Sequence, residues 1–260
     1  MEQKLIQILK FLTDNNKYNK ELQIKFALGS VGHHVEPFEK LVTLLYDTVN
    51  TQKAPSMRLL PNFFRGIYEK KDRLNSFHSF VKYLNKGEID EDMPFKSLYE
   101  GLKSHKGLGE KTSALFVKNI YNYHHVFQQD KKRKELKIWD DVPELNKNDK
   151  LYLPVDSVIK VIFNTLSPKM NRNNKPKDWT FDDINKYFQS FSNEDVILFD
   201  DLWFWGFITQ RVEKKQRKLG WNDEKYWMTK ELNKDKDTID DIKEKAEEFI
   251  EIIEQSSIYE

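Results

Sequence analysis

His105-Lys106-Gly107-Leu108-Gly109-Glu110-Lys111-Thr112-Ser113-Ala114 is the stretch on which the reading of this chain turns. Two glycines one residue apart, followed by good helix formers, predict a pinched turn opening directly into a helix. Glycine tolerates backbone torsions that other residues resist, so successive N–H groups can point outward together. At a helix N-terminus that arrangement receives anions, and a DNA phosphate is a natural occupant. Lys111 stands two residues beyond the second glycine, beside any backbone bound there. Pro154-Val155-Asp156 follows, with Asp156 45 positions after Lys111. A lysine nucleophile with a carboxylate helper is a known catalytic pairing.

Composition limits the alternatives. With 260 residues the chain is long enough for one large domain or two small ones, and 38% hydrophobic with 13% aromatic residues supplies a core. A mean hydropathy of −0.75 points to a heavily solvated surface. The net charge is only +1, which argues against a bulk polycation and places any nucleic-acid contact in local patches. The chain has no cysteine, which excludes disulfides, Cys-ligated zinc and iron–sulfur clusters. His33-His34 and His124-His125 are neighbours without the i, i+4 spacing of a helical metal face, so they read as surface or capping residues and no metal or other cofactor is expected. No apolar run approaches a membrane span, and the first ten residues read as an amphipathic helix rather than a signal core. A cytoplasmic, nucleoid-associated protein is the expectation.

The apolar pattern is helical nearly throughout, and the expected fold class is all-α. Leu5, Ile8, Leu9 and Leu12 mark one buried stripe, and a second helix is expected over 19–28. Pro37 opens a third at its first turn, with Leu41, Leu44 and Leu45 facing inward. Further helices are expected over 62–68, 73–84, 94–104 and 110–125, the last two flanking the glycine turn as a helix–hairpin–helix over 104–125. Residues 128–150 break the pattern with both charge signs and read as a polar surface excursion with room for a short hairpin. Helices resume over 156–166, 181–190, 194–213 and 237–256, with a loop over 168–178. Ile239, Ile242, Ala246, Phe249, Ile250 and Ile253 fall on one face, so the last helix should pack rather than dangle. No internal repeat is visible.

The paired motif Gly107-Leu108-Gly109-Glu110-Lys111-Thr112 and Pro154-Val155-Asp156 resembles the active-site signature of the helix–hairpin–helix DNA glycosylase superfamily. Pro37-Phe38-Glu39-Lys40-Leu41-Val42, Gly66-Ile67-Tyr68-Glu69-Lys70-Lys71 and Asp201-Leu202-Trp203-Phe204-Trp205-Gly206 resemble its supporting helices and occur in the same order. The resemblance covers residues 36–212, with 213–260 as a helical extension packing on that core. His105-Lys106 stands where the superfamily usually has Leu-Pro, the interval from Lys111 to Asp156 is long, and the iron–sulfur members are excluded by the missing cysteines. The archaeal-type 8-oxoguanine (GO) glycosylases are the most similar branch.

The resemblance implies a single glycosylase domain of two helical lobes with an interlobe active-site cleft, acting as a monomer on double-stranded DNA that carries a damaged base or an abasic site, and not on a membrane. A base inside a duplex must be extruded before it can be processed. Lys111, its ammonium pKa lowered by burial, would attack the deoxyribose C1′ and form a Schiff base, giving AP-lyase strand nicking by β-elimination. Asp156, capping a helix and staying anionic, would stabilise positive charge on the sugar and shuttle protons. Gln23, Leu115, Pro154, Asp201 and Trp205 would line the base pocket, with Trp205 favoured over Trp203, Phe204 and Phe207 for stacking. Gly107, Gly109, Lys106 and Thr112 would hold the DNA backbone, helped by Lys103 and Lys118. One of Asn50, Thr51 and Gln52 would fill the vacated stack. The run Lys131-Lys132-Arg133-Lys134 reads as a solvated loop rather than a DNA grip. Two other readings stay open: a non-catalytic DNA-binding module that kept the hairpin for phosphate contact, and a glycosylase for another modified base.

Overall fold

The computed structural model describes residues 1–129, 131–170, 177–213, 216–230 and 236–255. Helix accounts for 66% of the chain, and the sheet found among the described residues has two strands, so the protein is mostly helical. The helices are α1 (Glu2–Gly29), α2 (Pro37–Asn50), α3 (Leu60–Glu69), α4 (Phe77–Leu84), α5 (Pro94–Ser104), α6 (Glu110–His124), α7 (Ser157–Leu166), α8 (Phe181–Tyr187), α9 (Asn193–Phe199), α10 (Asp201–Ile208), α11 (Asp223–Lys230) and α12 (Lys236–Gln255). Strands β1 (Gln210–Glu213) and β2 (Gln216–Leu219) form an antiparallel pair between α10 and α11. The chain divides into two compact units, Ile24–Pro154 and Met1–Gln23 with Val155–Glu260.

Helix α4 starts at Phe77 rather than residue 73, α8 ends at Tyr187, and α11 adds a helix, but three larger differences stand against the sequence reading. Residues 2–29 form one helix rather than two. The polar run at Thr13–Asn19 is kept helical because Thr13 Oγ1 and Asn15 Nδ2 donate back to the carbonyls of Leu9 and Phe11, and Asn19 Nδ2 donates to Asp201 at 2.5 Å. The bonds of Asn15 and Asn19 satisfy buried amides that would otherwise favour a break. Second, the single helix expected over 194–213 is α9, α10 and β1. The chain leaves α10 at Thr209, and the Gly220 N–H returns to the Thr209 carbonyl at 2.8 Å. Third, 128–150 contains no hairpin among its described residues, and a few of its side chains enter the core although most stay at the surface. Leu136, Ile138 and Trp139 are buried. The expected loop over 168–178 lies mostly outside the described residues.

In the unit of residues 24–154, the inner faces of α2, α4, α5 and α6 meet around Leu41, Leu45, Phe77, Phe80, Phe95 and Phe116, and Trp139 joins them. Trp139 lies 5.5 Å from the Phe80 ring and donates its indole N–H to the Leu74 carbonyl at 3.2 Å. Two acids of the 128–150 segment cap helices. Asp141 accepts the Phe77 and His78 N–H groups at 2.7 and 3.2 Å, and Asp149 accepts those of Phe95 and Lys96 at 2.9 Å each. Both satisfy orphan amides at helix N-termini. Burial acts to raise the pKa of each. At Asp141 the amides and His78 win and hold it below the usual value, whereas at Asp149 burial wins and raises it.

His124 is also internal, not a surface histidine, and its Nε2 accepts the Ile138 N–H at 3.1 Å. Burial, reinforced by His125, Lys137 and Lys40, pushes its pKa from 6.5 down to about 3, against the opposing pull of Asp141. Because the folded value lies below the unfolded one, the unfolded chain binds the extra proton between those two pH values. Stability is therefore full above about pH 6.5 and falls as the pH drops towards about 3, by at most ~1.4 kcal/mol per pH unit for this group. Urea unfolding at pH 7.5 and 5.0 should show that loss, and His124→Gln should flatten it. An unchanged slope in the variant would remove His124 from the account.

In the other unit, Leu5, Ile8 and Phe11 of α1, Ile159 and Ile162 of α7, and Phe249 and Ile253 of α12 form the core. The last helix packs as its apolar face predicts. Helices α7 and α10 approach closely at Gly206, where an added Cβ would lie 2.7 Å from both Val158 Cγ1 and Ile162 Cδ1. Both neighbours are β-branched and stiff. Gly206→Ala should therefore cost about 1–3 kcal/mol. A thermal midpoint equal to or above that of the wild type would contradict this packing.

Candidate active-site elements

The glycine turn takes the form its sequence predicts. Helix α5 ends at Ser104, α6 begins at Glu110, and Gly107 lies at φ +98 between them. That torsion favours glycine, and a Cβ there would also press on Leu60 at 3.1 Å. Gly109 is the N-cap of α6, with nothing within 4 Å of where a Cβ would stand. Its φ of −99 is open to any residue, so neither torsion nor packing within the chain demands glycine there. Leu108 is buried between the two glycines and anchors the turn.

Lys111 lies in the first turn of α6 and is half-buried, and its Nζ donates to Thr51 Oγ1 at 2.5 Å. Thr51 caps the end of α2, and its hydroxyl donates to the Thr48 carbonyl at 2.7 Å. The next residue braces the hairpin. Gln52 Nε2 donates to the Gly107 carbonyl and to Thr112 Oγ1, each at 3.1 Å. Thr51 and Gln52, expected as residues filling a vacated base stack, are therefore tied to the lysine and to the turn, while Asn50 is exposed. Thr112, expected on the DNA backbone, is 5% exposed and its hydroxyl is engaged inside. Lys118 is 7% exposed and is not an open phosphate contact. Lys103 and Lys106 are exposed beside the turn; Leu115 is half-buried on α6, and Pro154 is buried. Arg133, in the basic run, donates to the carbonyls of Phe127 and Lys131.

The carboxylate belongs to the other unit. Asp156 is the N-cap of α7, and its Oδ1 accepts the N–H groups of Val158 and Ile159 at 2.8 and 3.1 Å. Its Oδ2 accepts the Trp203 indole N–H at 3.1 Å. Trp203 is 40% exposed and stacks on Phe207 at 5.0 Å with 14° between the planes. The sequence reading favoured Trp205 for stacking, but Trp205 is fully enclosed. Its ring meets Phe11, Tyr18 and Phe204 edge-on at 5.1, 6.1 and 5.0 Å, leaving no open face. The exposed indole, and the one in contact with Asp156, is Trp203. Residues 203 and 207 share a helix face by their i, i+4 spacing, which was the signal available for this pair. Asp201 is buried and accepts from Asn19 at 2.5 Å, and Gln23 reaches Asp200 at 3.5 Å.

Among the described residues no group of three or more His, Asp or Glu is placed to hold a metal ion, and no helix is long and apolar enough to cross a membrane. Comparison with protein-family profiles, curated proteins and solved structures gives no match to this chain.

Proposed function

We propose that the protein is a DNA base-excision glycosylase with AP-lyase activity, acting on duplex DNA with 8-oxoguanine as the favoured lesion. The observation that carries the reading is Lys111 itself. An amine stands in the first turn of a helix, next to a glycine turn whose N-cap glycine has open space around it, and a hydroxyl from α2 holds the amine in place. Backbone amides at such a turn suit a phosphate, and an amine beside that phosphate is within reach of the attached sugar.

The chemistry requires a free amine on Lys111. Its nitrogen attacks C1′ as the bond from C1′ to the base breaks, and the base leaves carrying a proton. Ring opening then gives a Schiff base between C1′ and Nζ, with the ring oxygen becoming the 4′ hydroxyl. Loss of a C2′ proton expels the 3′ phosphate and nicks the strand. Asp156 supports this sequence as a fixed carboxylate able to stabilise positive charge on the sugar and to move a proton.

Borohydride reduces such a Schiff base to a stable amine, so incubation with single-lesion duplexes plus borohydride tests the reading. A covalent complex strongest on 8-oxoguanine is the expected result. Trapping on another lesion would retain the chemistry and replace the substrate. DNA binding with no trapping on any lesion or abasic site would leave a non-catalytic hairpin module.

A further inference from the structure

The β1–β2 hairpin and the start of α11 were not anticipated as functional, yet their charge is concentrated. Residues 210–219 hold five cations, Arg211, Lys214, Lys215, Arg217 and Lys218, against one acid, Glu213, in a chain whose net charge is +1. Two hydrogen bonds tie one of these cations to α7, the helix that Asp156 caps. Gln210 Nε2 donates to the Val158 carbonyl in the first turn of α7 at 2.9 Å, and Arg217 Nη1 reaches the Oε1 of the same Gln210 at 3.4 Å. Arg217 is thus linked through Gln210 to the Val158 carbonyl of α7. Lys225 reaches the neighbourhood from α11, with Nζ 4.9 Å from the centroid of Phe207, the ring on which Trp203 stacks.

Neither cation has a carboxylate of its own. Among the described residues neither Arg217 nor Lys225 forms an ion pair, and the Lys225 ammonium has no hydrogen-bond acceptor although the residue is half-buried. Asp156 is near enough to attract Lys225, but its oxygens are already engaged by two α7 amides and an indole. Burial and the Arg217 guanidinium both act to lower the Lys225 pKa, and together they outweigh that attraction. A partly desolvated ammonium with a guanidinium in its electrostatic range is a pair that a bound anion would stabilise. The hairpin face is also open. Val212, the cross-strand partner of Arg217, is 63% exposed.

We infer that Arg217 and Lys225 form a phosphodiester-binding site on the Asp156 side, gripping the DNA backbone independently of the glycine turn. The inference rests on the glycosylase reading, and it names a second backbone contact for that activity. Two cations in the unit that carries Asp156 would let a phosphate approach while Asp156 stays oriented by its own donors. Lys218 provides an internal control, because its ammonium is paired with Glu213 at 3.0 Å.

The test is fluorescence anisotropy of the full chain with a duplex carrying a stable abasic analogue, over a series of salt concentrations, together with trapping kinetics on the natural abasic site. Arg217→Gln and Lys225→Gln should each weaken binding about tenfold near physiological salt and flatten the salt dependence by about one unit of slope. KM should rise while kcat stays within about twofold, as expected for loss of uniform binding. Lys218→Gln should behave as wild type. Lys225→Arg, which keeps the charge, should retain the wild-type slope, and a flattened slope there would overturn the inference. So would unchanged affinity and slope in the folded double variant Arg217→Gln, Lys225→Gln. A wild-type chain that binds no duplex is a different failure, read before any variant is made. It would remove the glycosylase reading and this site with it.

Discussion

Lys111→Gln should abolish the borohydride-trapped complex and reduce base release by at least about 10³-fold, the scale expected when a covalent nucleophile is removed. Glutamine is a suitable replacement. It is one bond shorter than lysine but keeps a neutral N–H donor on the side of Thr51, to which Lys111 donates at 2.5 Å. Lys111 is half-buried at the start of α6, and the turn is braced separately by Gln52. The variant should therefore keep its far-ultraviolet circular dichroism and its unfolding midpoint, so a lost activity reports chemistry and not misfolding. Residual base release without trapping would indicate water acting as nucleophile. Undiminished trapping by this variant would remove Lys111 from the mechanism.

Asp156→Asn should lower single-turnover base release by about 10²–10⁴-fold, the range for loss of a positioned acid–base or electrostatic group. Asparagine caps helices about as well as aspartate, so its amide oxygen can still receive Val158 and Ile159, and the fold should survive. What it cannot do is offer an acceptor on both atoms. With the oxygen kept at the cap, the amide NH2 faces the Trp203 N–H, donor against donor, where Oδ2 now accepts at 3.1 Å. Trp203 should consequently become more mobile, and its fluorescence should shift. Asp156→Ala should in addition lose about 1 kcal/mol of stability with the cap. Wild-type turnover in Asp156→Asn would reduce the residue to a structural cap.

Much of this was legible beforehand. The helix class, the turn at 105–109, the opening of α2 at Pro37 and the cap at Asp156 all follow from local signals: glycine spacing, proline position and an N-cap residue before an apolar run. What could not be read depends on tertiary partners. The continuity of α1 rests on Asn19 meeting Asp201, 182 positions away. The 128–150 segment looked like surface because it is polar, but Asp141 and Asp149 spend that polarity on the amides of α4 and α5. Helix α10, Asp201–Ile208, is apolar around nearly its whole circumference, so periodicity gives no preference between Trp203 and Trp205. Packing settles it, enclosing Trp205 and leaving Trp203 on Asp156. The hairpin was missed because Gln210–Leu219 is short and charged, without the β-branched alternation that marks a strand.

Locating the covalent bond is the most direct test of the central claim. The wild-type chain would be trapped with borohydride on a short oligonucleotide carrying an abasic site, digested, and sequenced by mass spectrometry. The account predicts a single reduced adduct on Nζ of Lys111. An adduct on another lysine, or no adduct on any, would contradict it.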